Sequence, residues 1–383
     1  MANTTTILDP RKLASDDGSL RLVLTARFRP IAGLDRFQPA GFPEIGHVIY
    51  DAPRRNGSSE KVCIVDSAAS MANHLEWVCL RGRWDLDLVD ELKRVPYVRC
   101  VTDRGWPNHT SAGDSNLDPD NLEVVVTSFT EGHRLASTYF LGGKRIESGT
   151  LMNDPFEREL ERECGILPLG KKRAHPPPEA WWKVFSTIFR YDPNTLVHGV
   201  LFPQWQVKIQ RMLTAHLEAF GAGRVDSSGV KFDRLGKTTS GQPIFSKDEE
   251  TAREIRATFI LDLALLRSFG QGKEGESEQK GLHDEQKEFL AAFALWKIGR
   301  LVHNPFRFRT GCDLECETVV EGVDGKENLK DELAGIDIGS FTKGAGFPEN
   351  PITDIYWPAD ELYRAGKDTG ESEGGEADEE SED

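Results

Sequence analysis

The segment from Leu20 to Arg29 constrains this fold most, because apolar and polar residues alternate along it almost without a break. Side chains of a β-strand point alternately to the two faces of a sheet, so the segment predicts a strand with one buried face. Arg27 and Arg29 fall on the other face and make it basic. We therefore expect a sheet that the rest of the chain covers on one side.

Further elements follow from hydrophobic periodicity and from helix-start signals. The predicted strands are 61–65, 122–129 and 195–202, and the predicted helices are 67–80, 206–220, 246–269 and 289–302. The predicted helix 206–220 would carry Lys208 and Arg211, and a capping-box pattern lies at the start of the predicted helix 246–269. Strands and helices intermingle without a regular βα repeat or a glycine-rich phosphate loop. This order favours an α+β fold with helices on one side of a sheet.

The net charge of −16 is unevenly distributed along the 383 residues. Residues 367–383 contain nine acidic residues and one lysine, and this tail is rich in Gly, Glu and Ser. Such a composition predicts disorder. The remainder is still acidic, so any nucleic-acid site must be a local basic groove. Counterion release depends on the phosphates that are contacted and not on the total charge.

The sequence shows no pattern typical of a metal centre, a secreted protein or a membrane protein. The six cysteines are scattered, and we expect them to be reduced and partly buried. No stretch approaches the roughly 20 apolar residues of a membrane-spanning helix. The N-terminus lacks a basic region followed by an apolar core. We therefore expect a cytoplasmic protein with no metal site and no membrane partner.

A helix start rich in polar side chains is the first candidate binding site. Ser67, Ser70, Asn73 and His74 lie near the predicted N-terminus of the helix that follows Asp66. Hydroxyl and amide groups there can donate to phosphate oxygens, together with free backbone N–H groups and the helix dipole. The alternative is that these residues bind no ligand and only cap the helix and form its polar edge.

The loop EGHRLAS, which contains His133, Arg134 and Ser137, follows the strand at 122–129. A histidine beside an arginine suits phosphate recognition, or a nuclease in which histidine takes a proton from a ribose 2′-hydroxyl. Catalysis would need a second acid or base, which the sequence does not identify. A structural loop is the alternative.

Three pairs of basic residues complete the candidates. They are Arg27 with Arg29, Arg307 with Arg309, and Lys231 with Arg234 in a hairpin-like segment at 221–245. The two arginine pairs each recur at every second position, so each pair is predicted to share one sheet face and to follow a nucleic-acid backbone. The hairpin-like segment could reach a neighbouring strand or subunit, or could be a solvated loop.

Several longer motifs together resemble one family. They are DSAASMANHLE, EGHRLAS, YDPNTLVHGVLF, GVKFDRLGK, TAREIRATFILDLALLRSFG and ALWKIGRLVHNPFRFRTGCDLE. From about residue 20 to about residue 360, in this order and with compatible spacing, they resemble the CRISPR-associated RAMP protein that forms the backbone of the type I-U (now I-G) Cascade effector. The arginine-rich strand departs mildly from the family pattern, because phenylalanines replace leucines and Gly311 replaces alanine.

The resemblance implies an α+β modified RNA-recognition-motif (ferredoxin-like) RAMP core with inserted fingers and thumb elements. We accordingly expect a flexible N-terminus over 1–18, one RAMP domain over 19–362 with the thumb at 222–246, and a disordered acidic tail over 363–383.

The resemblance also implies a non-catalytic subunit of a Cascade surveillance complex in antiviral defence. It would grip CRISPR RNA without reading its sequence and present it to a target DNA strand. Several copies would stack as an open helical filament beside other Cascade subunits.

The family picture implies guide-backbone contacts for most of the candidate residues, namely Ser67, Ser70, Asn73, His74, His133, Arg134, Ser137, Lys231, Arg234, Arg307 and Arg309. A narrow basic groove is expected, lined by Arg27, Arg29, Arg134, Arg307 and Arg309.

Two catalytic alternatives stay open. One is a RAMP endoribonuclease that processes the guide precursor, with His133 or His74 as general base. The other is metal-dependent cleavage of the target strand by Asp66, Asp233 or Asp313. The sequence contains no nucleophile elbow and no H-E-x-x-H motif. We therefore expect no enzymatic activity and no cofactor.

Overall fold

The computed structural model describes residues 7–15, 18–42, 46–105, 117, 121–166, 176–225, 249–271 and 280–368. In these residues the helices are α1 (Pro10–Ser15), α2 (Ala68–Trp77), α3 (Thr138–Leu141), α4 (Phe156–Cys164), α5 (Trp181–Tyr191), α6 (Pro193–His198), α7 (Leu263–Ser268), α8 (Asp284–His303), α9 (Lys330–Ala334), α10 (Ile338–Gly344) and α11 (Ala359–Asp368).

The strands of the same residues are β1 (Arg21–Pro30), β2 (Arg36–Phe37), β3 (Gly41–Phe42), β4 (Gly46–His47), β5 (Ile49–Pro53), β6 (Ser59–Asp66), β7 (Tyr97–Asp103), β8 (Leu122–Thr127), β9 (Lys144–Glu147), β10 (Thr150–Pro155), β11 (Val200–Phe202), β12 (Val207–Ile209), β13 (Leu213–Phe220), β14 (Gly223–Val225), β15 (Glu249–Thr251), β16 (Glu254–Asp262), β17 (Gly270–Gln271), β18 (Lys280–Gly281), β19 (Phe306–Arg309), β20 (Cys312–Glu321) and β21 (Ile352–Tyr356). The mixture of helices with antiparallel strands confirms the α+β class.

A seven-stranded antiparallel sheet forms the centre, with the strand order β19-β20-β1-β16-β13-β6-β5. The alternation in β1 behaves as predicted, because Leu22, Leu24, Ala26 and Phe28 are at most 4% exposed. The equivalent positions of β13 and β16 are buried as well. This side of the sheet is the core side, and the opposite side is called the outer face below.

Helix α8 is buried on nearly all of its sides. Leu290 and Phe293 have no exposed surface, and α1, α2, α9 and α10 pack around the helix. Gly299 permits the close approach of α9, since a Cβ there would lie 2.8 Å from the Leu333 carbonyl oxygen. Helix α8 therefore lies inside the protein and anchors the core.

The two ends of the central sheet are brought together by a short segment of backbone. The Gln38 N–H donates to the Gly311 carbonyl at 2.8 Å, and the Ala40 N–H donates to the Val65 carbonyl at 2.9 Å. Gly311 has a φ of 82°, which suits glycine in the turn between β19 and β20. The sheet is therefore curled, and the β19–β20 turn lies close to the end of β6.

A second sheet has the order β10-β9-β21-β7-β8, and β21 runs parallel to β7. Tyr97 and Cys100 of β7 face the core. Trp357 follows β21 directly, and its indole N–H donates to the Tyr139 carbonyl at 2.7 Å. The second sheet thereby places Trp357 beside α3.

Three predicted elements are wrong. The helices expected at 206–220 and 246–269 are mainly strands, since β13 and β16 alternate buried and less buried residues with a period of two. A period of two is a strand signal, and it prevailed over the high helix propensity of the alanines and leucines. The strand expected at 195–202 begins instead as α6, because Asp192 accepts from the Asn194 N–H and caps the helix.

The expected limits of the domain also differ in detail. The N-terminus expected to be flexible over 1–18 contains α1, and Leu8 is fully buried with its N–H donating to Glu332 at 2.7 Å. Helix α11 extends into the expected tail over 363–383. Most of the expected thumb lies outside the described residues. In the described part of the chain no helix has the length and apolar composition to cross a bilayer.

Candidate nucleic-acid interface

Helix α2 starts directly after β6, and its polar residues do not all play the same part. Ser67 caps the helix, since its hydroxyl accepts from the Ser70 N–H at 3.2 Å. Met71 and Leu75 face the core, whereas Asn73 lies on the exposed edge. Part of the predicted site is thus ordinary capping, and Asn73 with the half-buried Ser70 stays accessible.

His74 points into a tight cluster at the end of the curled sheet. Its Nε2 lies 2.9 Å from Asp66 Oδ2, and Arg309 Nη2 lies 2.8 Å from the same oxygen. The rings of Phe306 and Phe308 flank the imidazole at 5.4 and 5.3 Å between centroids. Burial raises the pKa of Asp66, but the hydrogen bond from His74 and the charge of Arg309 outweigh burial and lower it. The carboxylate therefore joins Arg309 to the imidazole of His74.

Ser70 Oγ also lies 3.4 Å from Nε2 of His74, the nitrogen that contacts Asp66. A serine–histidine–aspartate relay would need the two partners on different nitrogens of the ring. The three side chains do not have this arrangement. Asp66 is 2% exposed, and Asp313 is paired with Arg307 at 2.7 Å.

Three of the predicted arginines lie on the outer face of the sheet, each beside a carboxylate. The pairs are Arg27 with Glu254 at 3.4 Å, Arg29 with Glu315 at 2.7 Å and with Glu317 at 3.3 Å, and Arg307 with Asp313 at 2.7 Å. The basic outer face predicted from β1 is therefore largely neutralised by β16 and β20. These carboxylates belong to strands whose pairing the sequence did not reveal.

Arg134 is 6% exposed and is not available to a phosphate. Its guanidinium makes a bidentate pair with Glu76 at 2.7 and 3.0 Å and donates to the Gly199 carbonyl at 3.3 Å. Its φ of 52° shows that these contacts hold the backbone in a left-handed conformation. Ser137 is 3% exposed and caps α3 by accepting from the Tyr139 N–H.

The expected groove lined by Arg27, Arg29, Arg134, Arg307 and Arg309 is therefore wrong as a single surface. The five side chains are distributed among the outer face, the Asp66 cluster and the interior. Lys231 and Arg234 lie outside the described residues. His133 is accessible, with 81% of its side chain exposed and Nδ1 3.0 Å from Glu131.

The structure contains a cleft of about 1160 Å³ that the sequence did not indicate. Its polar lining residues include His133, Glu157, His198, Lys208 and Arg211, with Glu157 as the acidic one. Its apolar lining residues include Leu141, Val200, Leu201, Pro203, Ile209 and Trp357. The cleft therefore combines a mainly basic lining with an apolar one.

Lys208 and Arg211 differ from the outer-face arginines in their surroundings. No carboxylate of the described residues lies within 4.0 Å of either cation. Arg211 donates to the Ala68 carbonyl at 3.1 Å, which links the cleft to the start of α2. Burial and the charge of Arg134 lower the pKa of Arg211, whereas the charge of Glu76 acts in the opposite direction. An anion in the cleft would favour the charged guanidinium further.

A buried polar network lies beneath the cleft. Asn194 donates to Glu76 at 2.7 Å and accepts from Lys297, and Nε2 of His198 lies 3.0 Å from Lys297 Nζ. Burial lowers the pKa of His198 well below its ordinary value and also lowers that of Lys297. Burial raises the pKa of Asp192 to about 6. The network fixes the position of α6 and of the residues that follow it.

The cysteines are free and buried, as predicted. Burial raises the pKa of Cys63, Cys79, Cys100 and Cys312 to about 12, so these thiols stay protonated at neutral pH. Over the residues that are described, no cluster of three His, Cys, Asp or Glu side chains could hold a metal ion.

Comparison with known proteins identifies the family. The crystal structure of Csc2 from Thermofilum pendens matches 92% of this chain and 78% of that chain at 11% sequence identity, with a TM-score of 0.30. No curated protein matches. The family model described as CRISPR-associated protein GSU0053 matches residues 22–224, which is more than half of the chain. The expected relation to CRISPR-associated RAMP proteins is thereby confirmed. The chain belongs to the family of CRISPR-associated protein GSU0053.

Proposed function

We propose that this chain is a non-catalytic backbone subunit of a type I Cascade complex, of the I-U (I-G) subtype, and that it binds CRISPR RNA. The observation that carries the proposal is the cleft beside α2, where Lys208 and Arg211 lack carboxylate partners in the described part of the chain. On a chain of net charge −16, such a local pair of cations is what phosphates can bind.

The topology supports a ferredoxin-like RAMP core. Four adjacent strands have the order β20-β1-β16-β13, and the chain visits β1, α2, β13, β16, α8 and β20 in sequence. This is the β-α-β-β-α-β order of the ferredoxin-like unit. Strands β2–β6 are an insertion between β1 and α2, and strands β7–β10 belong to another between α2 and β13. Strand β21, which follows β20, completes the second sheet.

The pairing of β14 with β15 supports a thumb at 222–246. Gly223 pairs with Thr251 and Val225 with Glu249, so the two strands hold the ends of residues 226–248 together. An insertion with joined ends can project from the core without disturbing it. Lys231 and Arg234 are its proposed RNA contacts.

The proposed path of the guide crosses the exposed edge of α2 and enters the cleft. Ser70 and Asn73 offer hydrogen bonds at the edge of α2, and His133, Lys208 and Arg211 offer them in the cleft. These groups suit phosphate and ribose oxygens and leave the bases free. The guide could then pair with a target DNA strand, while further copies and other Cascade subunits bind along it in the cytoplasm.

The test uses the full chain and single-stranded RNAs of different sequence, with affinity measured by fluorescence anisotropy over a range of salt concentrations. We expect similar affinity for all sequences and a slope of log K against log salt of about −0.7 for each phosphate contacted. Failure to bind the cognate guide, both alone and with partner subunits, would contradict the proposal.

The endoribonuclease alternative is favoured by one observation, the exposure of His133 at the cleft. It requires metal-independent cleavage of repeat RNA that disappears in His133→Ala. His74 is the weaker candidate base, because its Nε2 is held by Asp66. Incubation of repeat RNA with the purified chain and a chelator distinguishes the two functions, and an intact RNA supports the non-catalytic one.

A further inference from the structure

One side chain beneath the cleft is poorly explained by the fold alone. His198 ends α6, is 1% exposed and lines the cleft. Its Nδ1 is buried and has no hydrogen-bond partner among the residues that the structure describes. Buried polar groups nearly always have a partner, so an unpaired one at a cleft indicates a missing ligand or water.

The neighbours of His198 fix which of its nitrogens carries the proton. Lys297 Nζ lies 3.0 Å from Nε2, and an ammonium group can only donate. Nε2 must then accept, so a neutral ring carries its proton on Nδ1. Lys297 is itself held by Asn194 and by the ring of Phe293, whose centroid lies 4.2 Å from Nζ. His198 therefore holds a buried N–H donor in the wall of the cleft.

We propose that the cleft binds one phosphodiester group of the RNA through three donors, namely the Nδ1–H of His198, Lys208 and Arg211. This inference rests on the proposed function and adds the subsite to it. All three groups donate, and phosphodiester oxygens only accept. Glu157 also lines the cleft, so a singly charged diester suits it better than a doubly charged free phosphate.

The other lining residues agree with a nucleotide whose phosphate is held in this way. Leu201 is 53% exposed, and with Val200 and Trp357 it forms an apolar surface in the same cleft. Ribose and base have apolar faces that such a surface can cover. Lys297 acts as a positioning residue, because it sets the tautomer of His198 without touching the RNA.

The first test observes His198 in the unaltered full chain by NMR with ¹⁵N-labelled histidine. We expect a neutral ring protonated on Nδ1, and a shift of that resonance when a short single-stranded RNA of mixed sequence is added. A ring protonated on Nε2, or a resonance that stays unchanged at saturating RNA, would overturn the inference. The resonance is assigned by its loss in His198→Asn.

The second test compares variants by RNA affinity. His198→Leu should bind the RNA about tenfold more weakly, the loss of one hydrogen bond to a charged group. His198→Asn keeps an N–H near the position of Nδ1 and should lose less. Lys343→Gln removes an exposed cation that does not line the cleft, and this variant should keep nearly the full affinity for RNA.

The outcomes separate the two proposals. If the unaltered chain binds no RNA, the proposed function fails. If it binds RNA and a folded His198→Leu variant binds equally well, only the phosphate subsite fails. Should His198→Leu not fold, the NMR measurement on the unaltered chain still decides.

Discussion

The outer face of the central sheet and the cleft beside α2 both carry basic residues, but their charges are available to different degrees. On the outer face Arg27, Arg29 and Arg307 each lie within 3.4 Å of a carboxylate oxygen. In the cleft, Lys208 and Arg211 have no such neighbour in the described ranges. The cleft contains fewer cations and offers more uncompensated charge.

This contrast shows that the number of arginines on a surface does not measure the positive charge that the surface offers to a phosphate. A phosphate that approaches a paired arginine must displace a carboxylate or be repelled by it, whereas an unpaired cation gains the whole interaction. The contrast extends inward, since the outer face is backed by apolar core and the cleft by a buried polar network.

The largest expected effect concerns that buried network. Arg134→Ala leaves the buried Glu76 carboxylate without its cationic partner, and we expect about 3–5 kcal/mol less unfolding free energy. Chemical denaturation followed by circular dichroism measures this. Arg307→Ala is the matched control, because 70% of its side chain is exposed and the loss of its pair should be hard to detect. If both variants lose the same unfolding free energy, the buried ion pair and the exposed one do not differ as we expect.

The second prediction concerns pH. Folding raises the pKa of Asp192 from 3.8 to about 6, so the folded state keeps this proton longer than the unfolded state does. The contribution of Asp192 to stability is therefore greatest below pH ~4, and it declines as pH rises to ~6, by at most about 3 kcal/mol. Asp192→Asn should flatten the stability profile over this range. Chemical denaturation from pH 4 to 7 measures the unfolding free energy. If its pH dependence is the same in Asp192→Asn as in the unaltered chain, the prediction is wrong.

The third prediction compares the two surfaces directly through RNA binding. Lys208→Gln with Arg211→Gln should weaken binding roughly tenfold at low salt and reduce the salt slope by about 0.7 for each lost contact. Arg27→Gln with Arg29→Gln removes the same charge from the outer face and should change the slope little. The reverse result would place the guide on the outer face, as the sequence first suggested.

The smallest expected effect concerns the acidic tail, of which α11 includes only the first two residues, Lys367 and Asp368. Removal of residues 367–383 takes away nine acidic residues and one lysine. If the tail shields the cleft, non-specific RNA binding should become a few-fold tighter at low salt. The gain should vanish when screening shortens the Debye length below about 10 Å. An unchanged affinity in the truncated chain would eliminate shielding.

The sequence predicted those elements whose periodicity is long and unambiguous. Strand β1 and helix α8 were found in this way, and α2 was found from its cap. Strands β13 and β16 were missed because alanine and leucine favour helices locally, while the alternation of Leu213 to Phe220 shows only when the period is counted.

The candidate site was less predictable, for a physical reason. The cleft is built from separate segments, with His133, Glu157, Lys208 and Trp357 each on a different one. Only His133 belongs to a motif that the sequence analysis proposed as a site, the loop EGHRLAS. His198 lies within YDPNTLVHGVLF, which indicated a buried strand and the family resemblance but no binding residue. A cation's availability depends on which carboxylates the fold places beside it, and this information is tertiary.

The position of β1 between β16 and β20 has a consequence for synthesis on the ribosome. Its partner strands begin only at Glu254 and at Cys312, so both edges of β1 stay open while the residues in between are synthesised. At about 5–20 residues per second that interval is of the order of tens of seconds. The central sheet and its curl can therefore form only after both of these strands have been synthesised.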